Sequence, residues 1–206
     1  YNAPREINFW LGLILLMIVL ALSLTGYLLP WDQKGYWATR VATNLTGLVP
    51  VVGADMQKLV VGGHEYGHHT LTRFFALHAG VLPGLLIFFL VIHLAVFRRH
   101  GLHAKQPIKR ADQAFWPAQV LKDSLACLAV LAVVMGLSFY FKGAELYAPA
   151  DGAKEFSAAR PEWYFLFLFQ FLKLFEGYGE MGEFLGAIVI PGVAMLVLFL
   201  MPFTGR

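Results

Sequence analysis

The stretch from Thr70 to Arg99, TLTRFFALHAGVLPGLLIFFLVIHLAVFRR, constrains this chain more than any other. Between Phe74 and Phe97 it carries no charged side chain, and those 24 residues, at about 1.5 Å each, reach roughly 36 Å as a helix, enough to cross a bilayer core. Such a segment predicts a transmembrane helix. Its only ring nitrogens belong to His78 and His93, and an ionisable side chain at membrane depth is costly enough to mark a functional site. Fifteen residues at 100° each make about 1500°, four turns plus 60°, so an unbroken α-helix turns both rings to nearly one side, about 22 Å apart along the axis. That spacing suits two stacked cofactors. The plainer alternative is a pair of histidines hydrogen-bonded inside a helix bundle.

With 58% hydrophobic and 14% charged residues, the chain of 206 falls outside the soluble range, where charged residues run near a quarter. It reads as all-α: a membrane bundle of four spanning helices plus short interfacial ones. The first span runs from about Ile7 to Leu29 and stops at Pro30. Gly12 and Gly26, fourteen apart and so about 40° apart around that helix, mark a face for close packing by a helix or a flat ligand. The third span covers about Pro117 to Phe141, with Lys122 and Asp123 in its first turns, and the fourth about Phe184 to Met201. Five basic residues between Arg98 and Arg110 mark the cytoplasmic side. The chain divides at that loop into two halves, 1–110 and 111–206.

Net charge is only +3, with no basic groove interleaved with aromatics, which excludes nucleic acid as a partner; membrane lipid is the partner the composition implies. A single cysteine, Cys127, rules out an internal disulfide framework or thiolate cluster. His64-Glu65-Tyr66-Gly67-His68 fits the HExxH pattern of zinc proteases, with His69 or Asp55 as conceivable third ligands. Gly62, Gly63 and Gly67 make a poor helix there, so a solvated loop is the expectation and the zinc site the rival. Pro30 to Gly63 is a long connection, with a short interfacial helix expected over Tyr36 to Leu48 beside Trp31 and Trp37. Pro161 suits the first turn of another helix, with Glu162 at its positive end, either a surface carboxylate or a proton acceptor at the edge of an apolar pocket. The start, YNAPREINFW, suggests a sequence that begins inside a longer protein.

Four stretches carry a resemblance: GYLLPWDQKGYWATRVATNL, TLTRFFALHAGVLPGLLIFFLVIHL, the Lys122-Asp123 pair, and PEWYF from Pro161. In this order they resemble the central portion of cytochrome b, the di-haem membrane subunit of quinol:cytochrome c oxidoreductase. The resemblance implies that His78 and His93 each give one axial ligand to one of two b-type haems, and that Gly12 and Gly26 let the porphyrins lie against the first helix; Arg73 joins the cofactor-binding set. It implies a quinol-oxidation pocket formed by Pro161, Trp163 and Tyr164 with Tyr27, Tyr36, Trp37, Ala38 and Val41, and Glu162 as proton acceptor. Arg98, Lys122 and Asp123 then belong to a quinone-reduction side. Implied partners are a Rieske iron–sulfur protein and a c-type cytochrome or plastocyanin-like acceptor, in a homodimeric complex, most simply in a bacterial inner membrane. The subunit would not act alone; electrons from quinol would divide between the Rieske protein and the two haems, coupled to proton translocation. The opposite haem ligands are expected from preceding helices or a second chain, since six-coordinate haem needs an imidazole on each side of the iron. Fourteen residues between the histidines and the WDQK sequence resemble the bf branch, whereas Lys122 and Asp123 resemble the mitochondrial type. A haem-binding anchor without quinol chemistry is the other rival.

Overall fold

The computed structural model describes residues 4–101, 114–143, 145–154, 156, 160, 161 and 163–204. Helix α1, Glu6–Tyr27, is apolar along its length, and its hydroxyls are satisfied within it: Ser23 Oγ donates to Val19 O at 3.0 Å and Thr25 Oγ1 to Ala21 O at 2.8 Å. The chain then turns through Pro30 to α2, Gln33–Gly47, whose start is capped by Asp32: Oδ1 accepts Gly35 N at 2.8 Å. Helix α3, Gly53–Val61, ends on Gly62 at φ +89°, a left-handed closure that glycine adopts without strain. The connection expected to be mixed is thus largely two helices.

Helices α4, His68–Ala76, and α5, Leu82–His100, form one continuous run joined by a π-turn at Leu77–Val81. Leu82 N donates to Leu77 O, five residues back, and Pro83 lacks the N–H needed for the next α-type bond. The run packs antiparallel to α1. Arg5 Nη2 donates to Gly101 O at 3.2 Å and His100 O at 3.4 Å, so a cation from the start of α1 meets the negative end of α5. The helix expected to begin at Pro161 begins only at Leu166, after a turn at 163–165: the aromatic run becomes α7, Leu166–Lys173, followed by α8, Gly179–Phe184, a second π-turn and α9, Ile190–Thr204. Trp10 fastens α9 to α1: its Nε1 donates to Phe199 O at 2.9 Å and its ring stacks on Phe199 at 5.2 Å.

These elements belong to one compact unit, residues 1–101 with 147–206; residues 102–146 form the other. The second unit holds α6, Val120–Phe141, which closes through Lys142 at φ +57°. Among the described residues, four helical runs are long and apolar enough to cross a membrane: Glu6–Tyr27, His68–His100, Phe115–Phe141 and Leu166–Thr204. The fourth is longer than the span the sequence predicts, because α7 leads into it through the turn at Glu176–Tyr178. Large apolar side chains are mostly exposed, with Leu11, Ile18, Leu28, Tyr36, Val61 and Phe74 as the described buried exceptions. In water that would be a failed core; for helices in lipid it is the normal outward face.

Candidate functional site

Helix α1 presents two faces with different uses. Gly12 and Gly26 lie on one, and both meet a histidine of the α4–α5 run. A Cβ on Gly26 would stand 2.5 Å from His78 Cε1, and one on Gly12 would stand 3.6 Å from His93 Cε1. The glycines expected to receive porphyrin therefore face imidazole rings directly.

The π-turn makes this double match possible. Fourteen residues of α1 amount to about −40° of net rotation, while fifteen of an ideal α-helix amount to about +60°, a disagreement of one residue, or 100°. A π-turn absorbs one residue of rotation, so the histidines turn as though fourteen apart. The helical rotation expected from sequence alone is corrected accordingly: the two rings follow the glycine stripe, not a 60° offset.

The two imidazoles have different surroundings. His78 Nδ1 lies 3.0 Å from Leu22 O and 3.3 Å from Thr25 Oγ1. A carbonyl only accepts, so Nδ1 is the nitrogen that carries a proton here, which leaves Nε2 as the nitrogen that can serve as a metal ligand. His93 Nδ1 is buried without a partner. An imidazole with one nitrogen tied to a carbonyl, a second histidine with a buried nitrogen still unpaired, and a glycine where even a Cβ would crowd the His78 ring fit one axial nitrogen from each histidine toward haem. Neither Leu22 O nor Thr25 was foreseeable as a partner, since a backbone carbonyl leaves no trace in sequence. Arg73, grouped with the haem residues from sequence, donates through Nη1 to Leu59 O near the end of α3.

The opposite side of α1 borders an apolar cavity of about 410 Å³. Met17, Leu20, Ala21 and Leu24 line it from α1 with Tyr27; Ala38, Val41, Ala42 and Leu45 line it from α2; Pro161, Tyr164, Phe165, Leu168, Phe169 and Leu172 close it from the α7 side. The α1 and α2 sets each recur at i, i+3, i+4, i+7, a periodicity that could have named the missed residues. Of the pocket residues expected from sequence, Tyr27, Ala38, Val41, Pro161 and Tyr164 come together here. Tyr36, Trp37 and Trp163 do not line the cavity. Tyr36 is one or two residues out of the α2 stripe and lies buried against Trp31, Trp37 and Tyr66; Trp163 is 79% exposed. Glu162 lies outside the described residues. Arg98 is exposed near the end of α5, and Lys122 and Asp123 are exposed on α6, where Gln119 Nε2 donates to Asp123 Oδ1 at 2.8 Å.

The zinc rival lacks its geometry. His64 and Glu65 sit in the loop before α4 and only His68 is on the helix, so the two histidines are not one turn apart on a shared face. No group of three or more His, Cys, Asp or Glu among the described residues could hold a metal ion.

Comparison with known proteins places the whole chain in one family. The family model described as cytochrome b(N-terminal)/b6/petB matches residues 1–149, and the model for cytochrome b(C-terminal)/b6/petD matches residues 149–206. The chain belongs to the cytochrome b family. It is similar to a cytochrome b of Rhodospirillum rubrum, 34% identical over 98% of this chain and 50% of that protein. A cytochrome bc complex cytochrome b subunit of Chlorobaculum thiosulfatiphilum is 35% identical over 100% of this chain and 48% of its own length. Among solved structures, a hyperthermophilic respiratory Complex III chain superposes with a TM-score of 0.80 at 28% identity, covering 98% of this chain and 55% of that one. The chain thus spans about half the length of the curated relatives it matches. As a cytochrome b with four apolar helical runs, it is a multi-pass integral membrane protein of a haem b family.

Proposed function

We propose that this cytochrome b is the membrane subunit of a quinol:cytochrome c oxidoreductase, and that the cavity between α1, α2 and α7 receives quinol. The observation that carries the reading is the cavity itself: apolar, about 410 Å³, lined by Pro161 and Tyr164, and separated from the histidine pair by the thickness of α1. A site of that size and lining suits a flat ring with an apolar tail. His78 and His93 would hold b-type haems through Nε2, with opposite ligands supplied from outside these residues. When bound, haem supplies one-electron chemistry at a potential that its ligands and surroundings tune.

The chain's own residues do the rest. The α1 and α2 stripes exclude water and orient the ring. Glu162, which directly follows the cavity-lining Pro161 in sequence, takes the quinol hydroxyl proton on a carboxylate oxygen and passes it outward. Residues 1–110 serve the haems and 111–206 the quinol site, and Arg98, Lys122 and Asp123 serve quinone reduction. A Rieske protein and a c-type cytochrome or plastocyanin-like acceptor complete the reaction, in a homodimeric assembly of a bacterial inner membrane; the family match and the Complex III likeness support this setting.

The test fills the cavity. In the intact complex in membranes, Leu168→Trp should leave the reduced-minus-oxidised b-haem spectrum unchanged while slowing reduction by added quinol at least about 10-fold, the lower end of what mispositioning costs. A wild-type rate of haem reduction by quinol in that variant would show that quinol binds elsewhere. No haem reduction by quinol in the wild type would favour the haem anchor.

A further inference from the structure

The connection leading to Pro161 is tied down before it reaches the cavity. Residues 147–152 run across the entrance of α2: Gln33 N donates to Ala148 O at 2.8 Å, Ala150 N to Trp31 O at 2.9 Å and Gln33 Nε2 to Asp151 O at 3.2 Å. Asp32 and Pro149 pair as an isolated antiparallel bridge. Beyond it, Tyr36 Oη stands 2.6 Å from where a Cβ on Gly152 would be, so glycine allows the strap to lie against that ring. The exposed Asp151 carboxyl is held below its ordinary range by the Ala153 N–H and then by Lys154.

Asp32 joins the two parts. Only 8% exposed, it divides its oxygens: Oδ1 accepts Gly35 N at 2.8 Å and caps α2, while Oδ2 accepts Tyr147 N at 3.2 Å and holds the strap. Capping alone would need one oxygen, and serine, threonine or asparagine would serve. A carboxylate offers two acceptors and no donor, which suits two N–H groups from different segments. α2 carries the Ala38–Leu45 wall of the cavity, and Pro161, in the facing wall, follows nine residues after Gly152.

We propose that Asp32 is a positioning residue for quinol: it sets the separation of the cavity's two walls by bonding the start of one to the strap that leads into the other. The inference rests on the cavity being the quinol site. It does not make Asp32 a proton carrier.

Asparagine is the informative replacement. Asp32→Asn keeps one acceptor, enough to cap α2, but turns an N–H₂ toward the other N–H, so the cap survives and the Asp32–Tyr147 bond, the side-chain part of the tie, is lost. In the intact complex, D32N should retain both b-haem bands and their midpoint potentials while kcat/KM for quinol falls about 10- to 10²-fold, chiefly through KM. The double variant D32C/P149C, with Cys127→Ala, replaces the tie by a disulfide. Antiparallel bridge partners have Cα atoms about 4.5–5.5 Å apart, within disulfide range. Its oxidised form should recover most of the quinol KM, and reduction should return it to the value of D32C alone. Wild-type KM in D32N, or equal KM in the oxidised and reduced double variant, would overturn the proposal. So would loss of the haem bands together with activity in D32N, which would show a folding role. Failure of wild-type membranes to oxidise quinol would instead remove the underlying functional reading.

Discussion

Removing Ala79 from the π-turn should leave the two proposed haem sites intact, although a one-residue deletion inside a transmembrane helix normally destroys whatever lies beyond it. The deletion reduces the His78–His93 spacing to fourteen and lets Leu77–Val81 relax to ordinary α-helix. Fourteen residues then turn about −40°, the same as Gly12 to Gly26, and both rings keep their glycines. Inserting one alanine at the same place has the reverse effect. With a helix radius of roughly 5–6 Å including side chains, an uncompensated 100° rotation carries an imidazole about 8–9 Å around the surface, too far to keep its ligand position. Val19 provides the control, because α1 has no π-turn: deleting it puts Gly12 and Gly26 out of register by the same 100°. Pyridine haemochrome and reduced-minus-oxidised spectra on the assembled complex read the result. Two haems in the Ala79 deletion, and fewer in the insertion and the Val19 deletion, is the expected pattern. If the Ala79 deletion loses a haem, and deletion of Gly80 does the same, the register argument is wrong; two haems in the Val19 deletion would be equally damaging.

Other outcomes follow from the same geometry. His78→Leu and His93→Leu should each remove one b-type haem and leave the other, because their separation of about 21 Å keeps the sites independent; haem stoichiometry checks this. Gly26→Ala should displace the His78 ring and weaken haem retention there, since the new Cβ would stand 2.5 Å from Cε1, whereas Gly12→Ala, with 3.6 Å to His93, should be tolerated; redox titration separates the two. Glu162→Gln should preserve haem and assembly while slowing quinol oxidation by roughly 10- to 10⁴-fold, the range for lost acid–base help, with Asp milder than Gln. Unchanged turnover in the Gln variant would remove Glu162 from the proton path.

Much of this protein is determined by its sequence alone, for a physical reason: lipid forces every backbone bond to close within its own segment, so apolar length reads directly as a spanning helix. Four spans, the all-α class, the His78–His93 and Gly12–Gly26 pairs, and the loop nature of His64 and Glu65 all follow from local composition and periodicity. Tertiary structure decided what depends on two segments meeting. No local rule says that Pro83 is preceded by a π-turn, which reverses the rotation computed from spacing. None says that Leu22 O accepts a hydrogen bond from His78 Nδ1, that Arg73 turns to Leu59 O, or that Tyr36 and Trp37 stay out of the lining of the cavity that Ala38 and Val41 border. Asp32 shows the division within one side chain. Its capping oxygen is legible from the residue type and the helix that follows; its second oxygen answers to Tyr147, 115 residues away, and only the fold brings that N–H within reach.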